Sequence, residues 1–380
     1  KTPALKRSYQ RIAYAKAIEL YTGGKTSESL AYFDKTLTYP MDNKLVAYTH
    51  FWKGNIYSDK KEFGQSIQEL TTYLNSPGQA TDKISPAVAH YNIAYIYFSQ
   101  KKYDQARTAY NKSISAFQQM GELSEVQAKM YPDALLRSGD CSFILRDYSQ
   151  AKKQYETIVK KGGGETDYAL FQTGMLAGLQ QDNGEKIKML EKIGKQYPNS
   201  YYADDALFQI ASTHALTANY SKAINTYNQL LQKYPKSKFV PQATSDLGLM
   251  YYNLEEYGSA ITYYEKVINQ YPKSQEAQTA ALSLKEVYIA TGDPDAYFDY
   301  LRKTDNVNLS TSAQDTILYQ FAESFYEKGD CQKAISSFNK YITEHPRGAF
   351  TVFAHFYRGD CMYQSKNYRS ARSDFDYVLK

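Results

Sequence analysis

The sequence is poor in the residues that form metal and disulfide sites. It has only three cysteines, which is an odd number and too few for a disulfide framework. Cys141 and Cys361 each follow a glycine by two residues, a place that Ile96 and Met250 fill elsewhere, so both are interpreted as core residues. Cys331 stands where other segments carry tyrosine, and the sequence offers no support for a conceivable bridge between Cys331 and Cys361. The cysteines therefore leave the redox compartment open.

Histidine is also scarce, and no catalytic motif accompanies it. None of the five histidines pairs with another at the spacing of a helical metal site. Gly23-Gly24-Lys25-Thr26 is similar to the end of a phosphate-binding loop, but Glu19 stands where the first glycine of that loop is required. No Gly-x-Ser-x-Gly elbow is present. We therefore expect no enzymatic activity, no metal and no cofactor.

The chain lacks dense runs of one charge and long apolar runs. Its formal net charge is +5 over 380 residues, and lysine and arginine are scattered singly or in pairs. Nucleic-acid binding needs clustered cations that neutralise phosphates, so we expect no nucleic-acid partner. No apolar run approaches the roughly 20 residues that a membrane-spanning helix needs. We therefore expect no membrane span in this segment.

What the chain does have is a repeated pattern. A Tyr-Pro-x-Ser sequence recurs at Tyr197, Tyr234 and Tyr271, two intervals of 37 residues. A fixed period of this length is typical of a chain built from stacked copies of one small unit. Between these marks, apolar residues recur at helical spacing in two stretches separated by a turn. Each repeat is therefore predicted to be a pair of amphipathic helices.

Small residues recur at fixed positions within each repeat. Two helices cross closely only where side chains are small. A small residue in the first helix is followed twelve positions later by another, in the pairs Ala94 and Ala106, Gly139 and Ala151, Ala211 and Ala223, Gly248 and Ala260, Ala322 and Ala334, and Gly359 and Ala371. An aromatic residue follows four positions later, at Tyr110, Tyr155, Tyr227, Tyr264, Phe338 and Phe375. This ring lies one turn further along the same helix face and is predicted to pack inside the repeat.

This order of small residue, aromatic, small residue, aromatic and proline resembles the tetratricopeptide repeat (TPR) family. Weaker repeats around Ala17, Gly54, Gly174 and Leu284 bring the count to about ten. The resemblance implies an all-α fold, a right-handed TPR superhelix (α-solenoid) of about ten helix-turn-helix units. We expect a single solenoid over residues 1–380, with bends near 162–164 and 293–312. The chain reads as a segment of a longer protein.

The resemblance implies a non-enzymatic scaffold or adaptor that binds a protein or peptide in a concave groove. In the TPR family one face of the first helices lines that groove, and in this sequence we expect that face to include the residues three before and one and four after each small residue. The predicted partner-binding residues at these positions are Tyr91, Tyr95, Phe98, Leu136, Phe143, Phe171, Phe208, Tyr252, Tyr319 and Tyr326. Tyrosine offers a large apolar area with a polar tip, and it is enriched at binding hot spots. The alternative is that coiling or an intramolecular segment covers these rings, which would make them architectural.

The resemblance also bears on the partner and the compartment. The TPR clamp for chaperone carboxylates needs lysine where this chain has Phe51, so we do not expect a chaperone tail as the partner. The sequence looks most like TPR proteins of bacterial envelopes, of the barrel-assembly lipoprotein or Tol-Pal coordinator type. This favours a periplasmic or outer-membrane-associated location, with any lipid anchor outside this segment. The alternatives are a cytosolic TPR sensor or regulatory domain and a glycan-binding accessory module. The partner's identity, the conformation of a bound peptide and the oligomeric state stay open.

Overall fold

The computed structural model describes residues 2–303 and 311–380. Over these ranges the chain forms twenty α-helices and no strand. The predicted all-α fold of about ten helix-turn-helix repeats is confirmed. The predicted bend at 293–312 includes residues 304–310, which lie outside the described residues.

The helices fall into two compact units, Lys1–Ala206 and Leu207–Lys380. Unit 1 contains α1 (Pro3–Thr22), α2 (Thr26–Thr38), α3 (Asn43–Asp59), α4 (Phe63–Asn75), α5 (Pro86–Ser99), α6 (Tyr103–Gln119), α7 (Glu125–Ile144), α8 (Tyr148–Lys161), α9 (Thr166–Leu179) and α10 (Asn183–Gln196). The helix α11 (Ala203–Leu216) includes the boundary. Unit 2 contains α12 (Tyr220–Lys233), α13 (Val240–Asn253), α14 (Tyr257–Gln270), α15 (Gln275–Thr291), α16 (Pro294–Lys303), α17 (Thr311–Glu327), α18 (Cys331–Glu344), α19 (Thr351–Gln364) and α20 (Tyr368–Val378).

The core of each unit is built from the residues that repeat in the sequence. The predicted ring of the second helix is buried in most repeats, because it packs over the small residue of the first helix. Tyr110, Tyr155, Tyr227, Tyr264 and Phe338 are at most 2% exposed. In the last repeat Phe375 is only half-buried. The spacing of small and aromatic residues therefore identified the contact that holds each hairpin together.

The glycine of the first helix is required where this ring is closest. A Cβ atom on Gly248 would lie 2.7 Å from Cε1 of Tyr264. In the equivalent place of unit 1, a Cβ atom on Gly139 would lie 2.7 Å from Cε1 of Tyr155. Carbon atoms that are not bonded do not approach this closely, so a larger residue would push the two helices apart.

We expect Gly248→Ala to lower the free energy of unfolding by about 1 to 3 kcal/mol, because overpacking exceeds the gain in helix propensity. Urea unfolding followed by circular dichroism measures the change. The matched control is Gly258→Ala on the partner helix α14, where no atom lies within 4 Å of the added Cβ. This variant should be as stable as the wild type or slightly more stable. Equal stability of Gly248→Ala and the wild type would contradict the close contact.

The turn of each hairpin has the same backbone conformation whichever residue occupies it. Seven residues after the small residue of the first helix, the backbone is left-handed. Non-glycine residues hold this conformation, with φ between 55° and 63°, at Lys61, Lys101, Arg146, Gln181, Ala218, Glu255 and Lys366. Glycine holds it at Gly24 and Gly329. The hairpin around Leu284 turns one position later, at Gly292. The sequence pattern predicted a turn between the two helices but not its left-handed conformation, because no single residue type marks that conformation.

A partly buried ion cluster joins three helices near the start of unit 1. Lys53 of α3 is 8% exposed, and its Nζ atom lies 2.8 Å from Asp34 Oδ1 of α2 and 2.9 Å from Glu69 Oε1 of α4. His50 Nδ1 lies 2.6 Å from Glu69 Oε2. Burial acts to raise the pKa of Glu69, but the hydrogen bonds from His50 and Lys53 outweigh it and hold the pKa below its usual value of 4.5.

The depressed pKa of Glu69 predicts acid sensitivity. A carboxylate with a lowered folded-state pKa stabilises the fold above its unfolded-state pKa, and this contribution is lost as the pH falls through the folded-state value. We therefore expect Glu69→Gln to cost about 1 to 2 kcal/mol at pH 7 and less below pH about 4.5, because a charge-assisted hydrogen bond is lost. Urea unfolding between pH 3 and 7 is the measurement. The control Glu62→Gln removes a half-exposed ion pair with Lys60 and should keep the pH profile of the wild type. A constant difference between wild type and Glu69→Gln across this range would contradict the prediction.

Candidate functional site

The structure separates the ten predicted partner-binding residues by exposure. Tyr95 is the most exposed, at 56%. Leu136 and Tyr319 are buried, at 3% and 5%, so these two side chains offer little surface to a partner. Leu136 packs within the core of unit 1. The ring of Tyr319 is covered by neighbouring rings, and its hydroxyl donates to Glu323. The other seven are half-buried: Tyr91, Phe98, Phe143, Phe171, Phe208, Tyr252 and Tyr326.

Three of the nine predicted aromatic residues pack at the joint between consecutive hairpins. Each stacks on an aromatic residue that enters the next first helix. The pairs are Phe171 with Tyr202, Phe208 with Phe239, and Tyr319 with Phe350, at centroid distances of 5.3, 4.6 and 4.5 Å. In every pair the two residues are 31 positions apart in the sequence. This constant interval was the signal in the sequence that could have revealed the stacks, and it gives these rings an architectural role.

Another three of the predicted aromatic residues pack beside the turn inside a hairpin. Each packs, edge-on or tilted, against the tyrosine five residues later, which is the first residue of the second helix. The pairs are Phe98 with Tyr103, Phe143 with Tyr148, and Tyr252 with Tyr257, at 5.7, 5.7 and 5.9 Å. Tyr326 packs against Tyr357 with a centroid distance of 4.5 Å, and its hydroxyl donates to Asp360. Each of these four predicted residues therefore packs against a neighbouring tyrosine on one side of its ring. The rest of the ring is half-buried and contributes to the surface.

The most exposed of the predicted residues, Tyr95, lies on a surface formed by α5 and α7 of unit 1. We call it the Tyr95 face, and it consists of Tyr91, Tyr95, Phe98, Asp133 and Arg137. The hydroxyl of Tyr91 donates to Asp133 Oδ2 at 2.6 Å. The guanidinium of Arg137 lies 3.4 Å from Asp133 Oδ1 and 5.7 Å from the ring centre of Phe98. Tyr95 thus lies on the same helix, α5, as Tyr91 and Phe98, and those two side chains contact Asp133 and Arg137 of α7.

A buried carboxylate supports this face. Asp140 is 8% exposed and accepts hydrogen bonds from the hydroxyls of Tyr155 and Tyr168, both at 2.8 Å. Arg137 Nη1 donates to its other oxygen at 3.4 Å. Burial raises the pKa of Asp140, although the two tyrosines and Arg137 oppose the rise. Burial also raises the pKa of Tyr91, which keeps its hydroxyl protonated and able to donate. Arg137 is therefore held between two carboxylates in a fixed position.

The structure corrects the interpretation of two cysteines. Cys331 at the start of α18 and Cys361 in α19 form a disulfide, with Cα atoms 5.1 Å apart. Cys141 is free and buried. The interpretation from the sequence compared each cysteine with the equivalent position in other repeats. That comparison does not show that Cys331 and Cys361 lie opposite each other in adjacent hairpins. The bridge ties the last hairpin of unit 2 to the one before it.

Residues 2–303 and 311–380 contain no group of three or more His, Cys, Asp or Glu side chains that could hold a metal ion. Among the same residues no helix has both the length and the apolar character needed to cross a membrane.

Comparison with protein families agrees with this architecture. Tetratricopeptide repeat models match residues 87–120, 168–200 and 317–347, which cover the hairpins α5–α6, α9–α10 and α17–α18. The chain contains tetratricopeptide repeats. An outer membrane lipoprotein model also matches this TPR protein, over residues 206–295.

Several solved structures resemble the TPR protein at low identity. The C-terminal part of a TPR repeat-containing protein from Cytophaga hutchinsonii is 13% identical, over 80% of this chain and 98% of that chain, with a TM-score of 0.45. A tetratricopeptide repeat protein from Parabacteroides merdae is 14% identical, over 72% of this chain and 98% of that chain, with a TM-score of 0.43. YrrB, a TPR protein described as having an unusual peptide-binding site, is 16% identical over 56% of this chain and 98% of its own, with a TM-score of 0.41. No curated protein matches the sequence.

Proposed function

We propose that this TPR protein is a non-enzymatic scaffold or adaptor that binds a protein or peptide segment at the Tyr95 face. The observation that carries the proposal is the 56% exposure of Tyr95 on the same helix as two fixed aromatic side chains. A tyrosine ring on a rigid helix supplies contact area at a small entropy cost. Repeat proteins of this kind commonly act by presenting an extended surface to a partner.

The charges of the Tyr95 face restrict its partner. Arg137 is already paired with Asp133 and Asp140, so its positive charge is largely balanced. A ligand that relied on a free carboxylate would have to compete with both of these acids. We therefore infer a partner segment that contacts the face through an apolar anchor and backbone hydrogen bonds rather than through an acidic tail. The half-buried residues Phe143, Phe171, Phe208, Tyr252 and Tyr326 stay predictions as secondary contacts.

Peptide selection tests the binding site. Peptides from a random display library would be selected on the purified protein, and their dissociation constants measured by fluorescence anisotropy. We expect Tyr95→Ala to weaken the selected peptides by about tenfold or more, as for a binding hot spot. The matched control is Tyr201→Ala, an 83% exposed tyrosine away from this face, which should leave binding unchanged. Equal affinity of both variants and the wild type would exclude the Tyr95 face.

We also propose that the protein works in an oxidising compartment of a bacterial envelope, periplasmic or associated with the outer membrane. The disulfide between Cys331 and Cys361 supports this, because disulfides persist in such compartments and are rare in the cytosol. The match to the outer membrane lipoprotein model points the same way. Thiol alkylation in intact source cells, followed by mass spectrometry, tests it. Modification of Cys331 and Cys361 without prior reduction would contradict the proposal and favour the cytosolic alternative.

A further inference from the structure

The segment 207–245, at the start of unit 2, carries an excess of positive charge. It contains no aspartate or glutamate, whereas the whole chain has 40 of them in 380 residues. It does contain four lysines, and three of them lie close together in the sequence, at Lys233, Lys236 and Lys238. These three positive charges therefore have no counter-charge within their own stretch of chain.

The three lysines lie at the end of α12 and in the loop 234–239, and all of them are exposed. Among the residues that the structure describes, no carboxylate forms an ion pair with them. The Nζ atom of Lys238 instead lies 4.8 Å from the ring centre of Phe239. The helix dipole favours a cation in the last turn of a helix, which accounts for Lys233. Lys236 and Lys238 follow the helix, so the dipole does not account for them.

The backbone of this loop is held by short hydrogen bonds. The amide of Ser237 donates to the carbonyl of Tyr234 at 3.0 Å. The hydroxyl of Ser237 accepts a hydrogen bond from the amide of Phe239 at 3.2 Å. The ring of Phe239 stacks on Phe208 of the preceding first helix. The lysine side chains therefore extend from a backbone that is fixed on the hairpin core.

The next loop repeats one of these cations at an equivalent point. Lys273 follows Lys236 by 37 residues, is also exposed, and has Glu276 as the nearest acid along the chain. The first helices after the two loops, α13 and α15, pack against each other. Packed helices lie about 8 to 10 Å apart, which is about one Debye length at physiological salt, so the potentials of the two loops add. We define the lysine edge as Lys233, Lys236, Lys238 and Lys273.

We propose that the lysine edge docks the protein on an anionic membrane surface, with its ammonium groups against lipid phosphates. The inference rests on the proposed function for one point, the location in an envelope compartment beside a membrane. Lysine is a point charge that attracts phosphates without a fixed geometry, whereas arginine forks suit the carboxylates of an acidic protein. The cations follow one edge of consecutive hairpins, so a flat surface can contact all of them together. Half-buried tyrosines, Tyr234 and Tyr271, begin the two loops, and tyrosine is enriched at the depth of lipid headgroups.

Sedimentation with lipid vesicles tests the proposal. The vesicles contain equal amounts of phosphatidylcholine and phosphatidylglycerol, or phosphatidylcholine alone. Each cation near an anionic surface strengthens binding about fivefold, so we expect half of the protein to bind the anionic vesicles at about millimolar lipid. Neutral vesicles should not bind it, and 0.5 M NaCl should release it, because salt screens these charges. Equal binding to both kinds of vesicle, or binding to neither, would overturn the proposal.

Two triple variants with the same net charge locate the contact. The first neutralises the α12 end and its loop, by Lys233→Gln, Lys236→Gln and Lys238→Gln. It should weaken binding to anionic vesicles about a hundredfold, at fivefold per cation. The second neutralises three exposed lysines at the hairpin-turn ends of unit 2, by Lys222→Gln, Lys328→Gln and Lys366→Gln. It should bind as the wild type does. Equal weakening in both variants would show that net charge, not the lysine edge, attracts the membrane.

An acidic protein segment is the alternative occupant, and soluble polyglutamate represents it. At equal concentrations of negative charge, the anionic vesicles should bind the protein more tightly than polyglutamate does. Tighter binding of polyglutamate, weakened in the first triple variant, would overturn the proposal in favour of an acidic protein.

Failure of this proposal is distinguishable from failure of the proposed function. Tyr95→Ala should bind anionic vesicles as the wild type does, because Tyr95 lies in unit 1 and outside the lysine edge. The first triple variant should keep the affinity of the wild type for peptides selected on the Tyr95 face. Absence of vesicle binding, with peptides still lost in Tyr95→Ala, would reject the lysine edge and retain the scaffold function. Vesicle binding lost in the triple variant, with no effect of Tyr95→Ala on peptides, would retain the lysine edge and reject the Tyr95 face.

Discussion

Replacement of Asp374 by alanine is expected to lower the free energy of unfolding by about 3 to 5 kcal/mol, the usual cost of removing one partner of a buried ion pair. The carboxylate of Asp374 in α20 is 3% exposed. Arg358 Nε of α19 donates to it at 2.8 Å, and His355 Nδ1 lies 2.7 Å away. Alanine would leave the guanidinium of Arg358 without its counter-charge in a mostly buried position. Urea unfolding followed by circular dichroism measures the loss.

The same helix provides the control for this prediction. Asp376 lies two residues further along α20 and pairs with Arg372 at 3.8 Å, with both side chains more than half exposed. Exposed pairs of this kind contribute little, so Asp376→Ala should change stability by about 0.5 kcal/mol or less. A similar loss in both variants would mean that the burial of the Asp374 pair is not what stabilises the last hairpin.

Reduction of the Cys331–Cys361 disulfide is expected to cost about 3 to 4 kcal/mol, from the chain entropy released on opening a loop of this size. The two cysteines are 30 residues apart in the sequence. Thermal and urea unfolding with and without a thiol reductant measure the effect. Without reductant, the denatured protein should show one reactive thiol, which belongs to Cys141.

Two variants separate the bridge from general effects of the reductant. Cys331→Ala should be destabilised without reductant and should show no further change when reductant is added. Cys141→Ala keeps the bridge and should respond to reductant as the wild type does. An unchanged wild type under reducing conditions would show that the bridge does not form in solution.

The fold was largely predictable, because its key contacts repeat within one hairpin. The small residue Gly248, the small residue twelve positions later and Tyr264 four positions beyond that form a pattern that helix geometry alone explains. The structure places the Tyr264 ring against Gly248, as the spacing indicates. Contacts of this kind are local in sequence and recur in most repeats, so chance matches are rare.

The candidate site was predictable only in part, because exposure depends on the joint between hairpins. Tyr95 and Tyr319 both occupy groove positions of their first helices, yet one is 56% exposed and the other 5%. Tyr319 is covered by Phe350, which belongs to the next hairpin. Likewise, the segment 76–85 between α4 and α5 follows no repeat period, so the sequence pattern carried no signal for its contacts with Tyr48 and Gln127. The exposure of each aromatic ring therefore depends on the joints between hairpins and on irregular segments, which the repeat pattern does not describe.

The left-handed turn of the hairpins has a practical consequence for engineering. It places an exposed residue at the same point of successive hairpins, as at Lys61, Lys101 and Arg146 of unit 1. Because the conformation is kept by lysine, arginine, glutamine, alanine and glutamate alike, the side chain itself is not part of the hairpin's packing. A cysteine introduced at each of these turns would carry one spectroscopic label per hairpin. The chain thus contains its own series of equivalent attachment points, between which distances along each unit can be measured.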